Sequence, residues 1–307
     1  MDDRTQEISN LETDTAEKSK KGKKKGSQPL KTSELIKIMH RTIKIQTAWL
    51  ITLSVVVTVL LGCVFSDALT YGCAKLLIGI GSVESGFSML KKIPDYEPSA
   101  ALLDEYKYKI TGNVVELGTY EQDGVRGNGK EALQWVVLEY DKEAQKALLI
   151  TKFSIDCVVY QDNYGGVTWE TSDMREWLNQ KFFEDAFDRD ELKIIAESCI
   201  ETPNNLKYDT KGGRETVDKI FLLSDEEFGK YLKETEYAVG YTTQYARESG
   251  VRSDPVSGAG TWWLRSSGES LVYVSAVDSL GELNSEGVYA YNYSSGVRPA
   301  MWINVED

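Results

Sequence analysis

Histidine is almost absent from this chain of 307 residues, and His40 is its single copy. Everything after residue 40 therefore cannot assemble a Ser-His-Asp triad, a Cys-His pair or a histidine zinc site. Cysteine is nearly as scarce. Cys63 and Cys73 lie in or beside an apolar run, leaving Cys157 and Cys199 further on, where one disulfide and two core thiols both fit. Positive charge is also short, with 35 Lys and Arg against 48 Asp and Glu and a net charge of −13. Such a balance lacks the basic footprint that nucleic acid demands, so no nucleic-acid partner is expected. The mean field repels polyanions, which favours a neutral glycan, a peptide or a protein as partner. No pattern implies a cofactor or a metal. The loop Asp209–Glu215 interleaves its acids with Lys211 and Arg214 and lacks the alternating ligand spacing of a calcium loop.

Long uncharged runs are missing too, with one exception. From Ala48 to Phe65 (AWLITLSVVVTVLLGCVF) 18 residues pass without a charge, within the roughly 17–25 needed for a helix to cross a bilayer. Residues 1–47 hold 11 basic and 7 acidic groups, including Lys18, Lys20, Lys21, Lys23, Lys24 and Lys25; residues 66–307 hold 24 and 41, a net of −17. The asymmetry predicts an uncleaved transmembrane helix over 48–65, a single span of the plasma membrane, with the N-terminus cytoplasmic and residues 66–307 extracellular. A buried core helix is the alternative. The polar residues 1–47 read as a disordered basic tail whose lysines touch anionic lipid heads.

Residues 66–108 carry helical spacing. Leu69, Cys73, Leu76 and Leu77 form one stripe; Gly79 and Gly81 interrupt it; Phe87, Leu90 and Ile93 resume it before Pro94. Tyr71, Ala74, Leu77 and Gly79, followed by Phe87, Leu90, Asp95, Tyr96 and Ser99, resemble one degenerate tetratricopeptide-like unit, a spacer that must pack on something else because one unit cannot bury both its faces. A plain amphipathic stalk fits the same spacing.

From Ile110 the period changes to that of strands. Val114–Leu117, Gln134–Tyr140 and Lys146–Ile150 predict strands, the last two joined as a hairpin through Asp141-Lys142-Glu143. Thr171, Ser172 or Asp173 can cap a helix bearing Met174, Trp177, Leu178 and Phe182. A second helix is expected from Asp188, with Glu191 completing a capping-box pair, and a third from Ser224 with Glu227. Between them, Ile220–Leu223 reads as a buried strand. The acids Asp185, Asp188, Asp190 and Glu191 fall at helix starts, where capping explains them. A carboxylate-dependent hydrolase is nevertheless one of three functional readings.

The C-terminal run opens with Trp262-Trp263-Leu264-Arg265-Ser266 and closes with Gly296-Val297-Arg298-Pro299-Ala300. Arginine among heavy apolar residues must be paired, so Trp262, Trp263, Arg265, Arg298 and Pro299 are expected to form a structural frame. These two motifs resemble an uncharacterised domain family of Firmicutes, together with Trp135–Leu138, Trp169–Ser172 followed by Arg175, Trp177, Leu178 and Asn179, and Asp218–Ser224. The resemblance spans about residues 109–305, and members are often attached to membrane anchors and tetratricopeptide-like units. The family resembles in turn the C-type-lectin-like fold of formylglycine-generating enzymes and retroelement variable proteins. What this implies is a fold, an α+β, C-type-lectin-like ectodomain over 109–307 with antiparallel strands and flanking helices, and a habit of displaying binding loops; the apolar run and the helical spacing put one transmembrane helix and a short helical hairpin ahead of it. It does not imply a reaction: neither Cys157 nor Cys199 sits in the context that the formylglycine-generating enzymes use.

Between the motifs, Tyr289, Tyr291 and Tyr293 alternate, so an extended chain sets all three on one face, with Asn292, Ser294 and Ser295 beside them. Tyrosine with small polar residues is the mixture of binding surfaces, and its rings also suit sugars. Tyr273 and Trp169 are further candidates for that surface; sheet cover is the competing reading. The expectation is a membrane-anchored extracellular domain that binds a glycan or protein ligand on this face and is not an enzyme. The alternative from another class is a structural subunit of a cell-envelope complex.

Overall fold

The computed structural model describes residues 32–125 and 127–305; within its first helix the side chains of residues 35, 38 and 58–65 lie outside the described set. The chain divides into two compact units, residues 1–66 and 67–307. Helix α1 (Thr32–Gly79) takes in residues 32–47, which were expected as tail, while the lysine cluster at 18–25 falls outside the described residues.

The expected transmembrane helix requires correction. Among the described residues no helix is long and apolar enough to cross a membrane. With it fall the single span, the plasma-membrane location and the inside-to-outside topology built on it.

In the second unit, helices α2 (Val83–Leu90) and α3 (Glu97–Tyr106) follow the last turns of α1. The Ser99 hydroxyl, fully buried, donates to the Leu90 carbonyl at 3.1 Å and ties α3 to α2. Asn113 then joins this helical part to the sheets. Its Oδ1 accepts from Lys91 Nζ (2.8 Å), its Nδ2 donates to the Lys107 carbonyl (2.8 Å), and its own carbonyl accepts from Val137 N (2.9 Å).

Two sheets follow. Strands β1 (Val114–Tyr120), β2 (Glu131–Asp141) and β3 (Lys146–Thr151) form an antiparallel meander, completed in the order β1-β2-β3-β11 by the last strand, β11 (Ala300–Asn304). The turn between β2 and β3 is held by Asp141, whose Oδ1 accepts from the backbone N–H groups of Glu143 and Ala144, both at 2.9 Å. The second sheet runs β4-β10-β7-β8-β9, from β4 (Asp156–Cys157), β7 (Trp262–Ser267), β8 (Tyr273–Val277), β9 (Leu283–Tyr289) and β10 (Gly296–Val297). A small hairpin pairs β5 (Ser198–Ile200) with β6 (Thr216–Asp218). The architecture is mixed α and β.

Helix α4 (Asp173–Trp177) starts on Ser172, whose hydroxyl accepts from Arg175 N at 3.1 Å, and continues through a wider turn at Leu178–Phe182 into α5 (Phe183–Ala186). The helix expected from Asp188 shrinks to one turn, α6 (Glu191–Ile194), because Ile195 leaves it to bridge Ile303 of β11. The Asp188 and Glu191 carboxylates do cap each other's backbone N–H. Helix α7 (Asp225–Tyr231) carries the expected reciprocal box: Ser224 Oγ accepts from Glu227 N, and Glu227 Oε2 accepts from Ser224 N. A last short helix, α8 (Gln244–Glu248), begins on Thr243.

Ile220–Leu223 is fully buried but is not a strand. Its backbone bonds go to different partners in turn. Phe221 exchanges both its bonds with Ala300 of β11, and the Leu223 carbonyl accepts from Arg265 N of β7. The segment stitches the two sheets together instead of extending either.

The second crossing is the Gly296–Ala300 motif. Gly296 pairs with β4 and β7 of one sheet, while Ala300 pairs with Ile150 of the other. Pro299, which has no N–H to give a ladder, stands where the chain changes sheets, and its carbonyl accepts from Thr151 N at 2.9 Å. At Gly296 a Cβ would fall 2.7 Å from both the Cβ and the Oγ of buried Ser154. Gly296→Ala is therefore expected to destabilise the protein by roughly 1–3 kcal/mol, lowering the midpoint of a circular-dichroism melt by several degrees; an unchanged midpoint would show that this approach is not tight.

Candidate functional site

The frame is built from the two arginines. Arg298 is fully buried and, among the described residues, has no carboxylate partner. Its Nε and Nη2 donate to the Thr151 carbonyl (3.0 and 2.9 Å), its Nη1 donates to the Tyr237 carbonyl (2.7 Å), and its guanidinium lies 4.6 Å from the centre of the Trp262 ring. Burial lowers its pKa to about 9, which still leaves it charged at neutral pH. Arg265 is solved differently. It pairs with Glu227, the same carboxylate that caps α7, and donates to the carbonyls of Leu222 and Glu201, each at 2.7 Å. Trp262 and Trp263 are both fully buried, their indoles donating to the carbonyls of Ala238 and Val158.

Upon this frame stands a row of tyrosines. Tyr273 of β8 pairs directly with Tyr289 of β9, and their ring centres are 4.3 Å apart. The register shift between β8 and β9 beside them needs Gly287, whose φ of +94° suits no side chain and whose Cβ would meet the Val274 carbonyl at 2.7 Å. Beyond Tyr289 the strand ends: Asn292 N donates back to the Tyr289 carbonyl at 2.9 Å, closing a turn. Within that turn Ala290 points inward, 1% exposed, so Tyr291 emerges beside Tyr289 with ring centres 5.1 Å apart. The row continues onto Tyr164, 4.2 Å from Tyr291.

Alternation thus brings Tyr289 and Tyr291 together, but Tyr293 departs from the extended pattern. Its hydroxyl donates to Asp162 Oδ1 at 2.6 Å, pinning it to the loop that carries Tyr164. Asn292 spends its Oδ1 on Ser294, accepting from both N (2.6 Å) and Oγ (2.7 Å), and Ser295 is buried. Trp169 lies apart from the row. It is fully buried, with its indole N–H 2.9 Å from Asp218 Oδ2, because the capped turn that begins α4 points it at the core.

Sequence reasoning missed Tyr164 and Asp162. Tyr164 is 85% exposed, on a loop anchored by Gln161 N to the Ala290 carbonyl and by Val167 N to the Leu271 carbonyl. The signal was present, since Asp162-Asn163-Tyr164-Gly165-Gly166 has the same tyrosine-with-small-polar composition as the stretch at 289–295. A hydrogen bond with Tyr289 holds the Tyr273 phenol up at about 12, and the bond to Asp162 raises Tyr293. Neither titrates near neutrality.

The remaining chemistry is engaged elsewhere. Cys157 and Cys199 are both free; burial, with Asp156 beside it, lifts the Cys157 thiol to about 11. Asp185 pairs with Lys130 at 2.5 Å and Asp190 with Lys193 at 2.6 Å. Glu121, Asp123 and Glu131 could together reach one ion, but their oxygens already accept from the backbone N–H of Gly124, Val125 and Gln122.

Beneath the frame, Asp225 Oδ2 accepts from Ser275 while its Oδ1 is buried without a partner. Burial pushes its pKa up to about 6, against hydrogen bonds from Ser275 and Ser266 that pull it down. The folded protein then holds this proton up to about pH 6, whereas the unfolded chain releases it near 3.8, so its contribution to stability is full at low pH and is lost as pH rises through that window. Asp225→Asn should escape that loss. Its melting temperature relative to wild type is expected to improve between pH 4 and pH 6 in paired thermal melts, and a pH-independent difference would contradict the assignment.

A family profile described as a domain of unknown function, DUF6273, matches residues 144–305, which includes both arginine motifs and every tyrosine of the row. No curated protein matches the chain, and no solved structure matches it.

Proposed function

The chain belongs to the DUF6273 family, and on that premise we propose that it is a binding module whose ligand docks on the tyrosine row. The observation that carries this reading is the contiguity of four rings, Tyr273, Tyr289, Tyr291 and Tyr164, with successive centres 4.2–5.1 Å apart, running from two paired strands onto the turn after β9 and a separate loop. Cover for the sheet alone has no use for Tyr164, which reaches the row from a separate loop and leaves most of its surface in solvent. Rigid rings give contact area at small entropic cost, so a row of them suits a sugar or a peptide. The resemblance to C-type-lectin-like folds, which display loops on a buried frame, belongs to the same proposal.

A second reading, the structural subunit, is favoured by a different surface. Leu69, Leu76 and Ile80 are 66–70% exposed along the helical part, and a partner chain would cover them. On that reading assembly survives loss of the tyrosines.

Thermal shift of the full chain against oligosaccharides and short peptides separates the two. Ligand at about 100 times its Kd adds about 2.7 kcal/mol, a shift of several degrees. A shift that disappears in the variant carrying Tyr289→Ser, Tyr291→Ser and Tyr293→Ser is the expected result. A shift retained in full by that variant would move the site off the row.

A further inference from the structure

We propose that the ligand of this face is cationic: a peptide segment bearing lysine or arginine side chains, seated along Tyr164, Tyr291, Tyr289 and Tyr273 with its charge toward Asp162 and Glu269. This rests on the binding reading above and narrows it.

The first support is what the rings lack. Nine cation–π contacts occur among the described residues, and they use Phe87, Tyr106, Tyr108, Phe153, Phe183, Tyr208, Phe221, Tyr231 and Trp262. This chain places its own cations over aromatic rings repeatedly, yet none lies over the tyrosine row. Ring faces carry partial negative charge and attract ammonium and guanidinium groups, which leaves this row open to a cation from outside.

The second is the sign of the surroundings. The groups that act electrostatically on Tyr273, Tyr291 and Tyr293 are Glu269, Asp162 and neighbouring phenols, with no lysine or arginine among them. Asp162 and Glu269 belong to no ion pair among the described residues. Glu286 shows the contrast on the same sheet, because it is already taken by Lys207 at 3.0 Å and by the Tyr208 hydroxyl at 2.9 Å. A net charge of −17 over residues 66–307 adds long-range attraction for a basic segment. A neutral glycan could stack on the rings but would gain nothing from these acids. A guanidinium gains from both, because it stacks and pairs at once.

The test is fluorescence anisotropy of the full chain with a labelled peptide of alternating lysine, arginine and serine, alongside chitohexaose as the neutral probe. Two variants divide the chemistry, each checked for an unchanged melting temperature. Asp162→Asn with Glu269→Gln keeps the rings and the acceptor for Tyr293 but removes the charge; Tyr164→Ser with Tyr289→Ser keeps the charge but removes the rings. The expected result is peptide binding that weakens with salt, falls about tenfold in the charge variant and is lost in the ring variant. Binding of chitohexaose that needs the rings, without binding of the peptide, would overturn the cationic ligand and leave the binding face standing. Peptide binding untouched in the ring variant would reduce the attraction to overall acidity and overturn both. Failure of both probes to bind would also overturn both.

Discussion

Arg298 carries its charge into the centre of the fold, where carbonyl oxygens of Thr151 and Tyr237 and the indole face of Trp262 meet it. A carboxylate could have followed the guanidinium if the surroundings shifted; two backbone carbonyls fixed in separate segments cannot. Thr151 is the last residue of β3, in one sheet, and Trp262 opens β7, in the other. Holding both at once fixes where the sheets meet. Each carbonyl left unmet in that interior would cost about 1–3 kcal/mol, so Arg298 locks the crossing as much as it stabilises it. The main-chain bond from Thr151 to Pro299 closes the same knot from the other side.

Arg265 serves the same frame by a cheaper route, sharing Glu227 with the cap of α7. One carboxylate thereby sets a helix start and neutralises a strand arginine. The tyrosine row inherits its rigidity from this base, since β8 lies between β7 and β9, and Tyr273 and Tyr289 project from the outer pair. The row is therefore a consequence of the frame, which holds its rings in register.

Much of this was legible in the chain. The two arginine motifs stood out because charge among tryptophans demands partners, and the capping boxes at Ser224 and Asp188 announced their helices by side-chain chemistry alone. The failures have physical causes. Ile220–Leu223 has the composition of a strand, but composition cannot say that successive backbone groups will bond to different sheets. The run at 48–65 meets a membrane criterion on hydropathy, whereas no described helix meets it in the structure. Trp169 looked like a surface aromatic until its indole found Asp218. Tyr164 and Asp162 were overlooked because local spacing carries no sign that a loop some 130 residues away in sequence folds back beside Tyr291 and Tyr293.

By holding both sheets at one point, Arg298 makes them a single cooperative unit. Native-state hydrogen exchange of the full chain reads this cooperativity through the amides of Leu149 to Thr151 in β3, Trp262 to Arg265 in β7 and Ala300 to Ile303 in β11. All three groups are expected to exchange only through global unfolding, with one common free energy, while the turn at Asn292–Ser294 opens far more readily. Two separate free energies, one for each sheet, would contradict it.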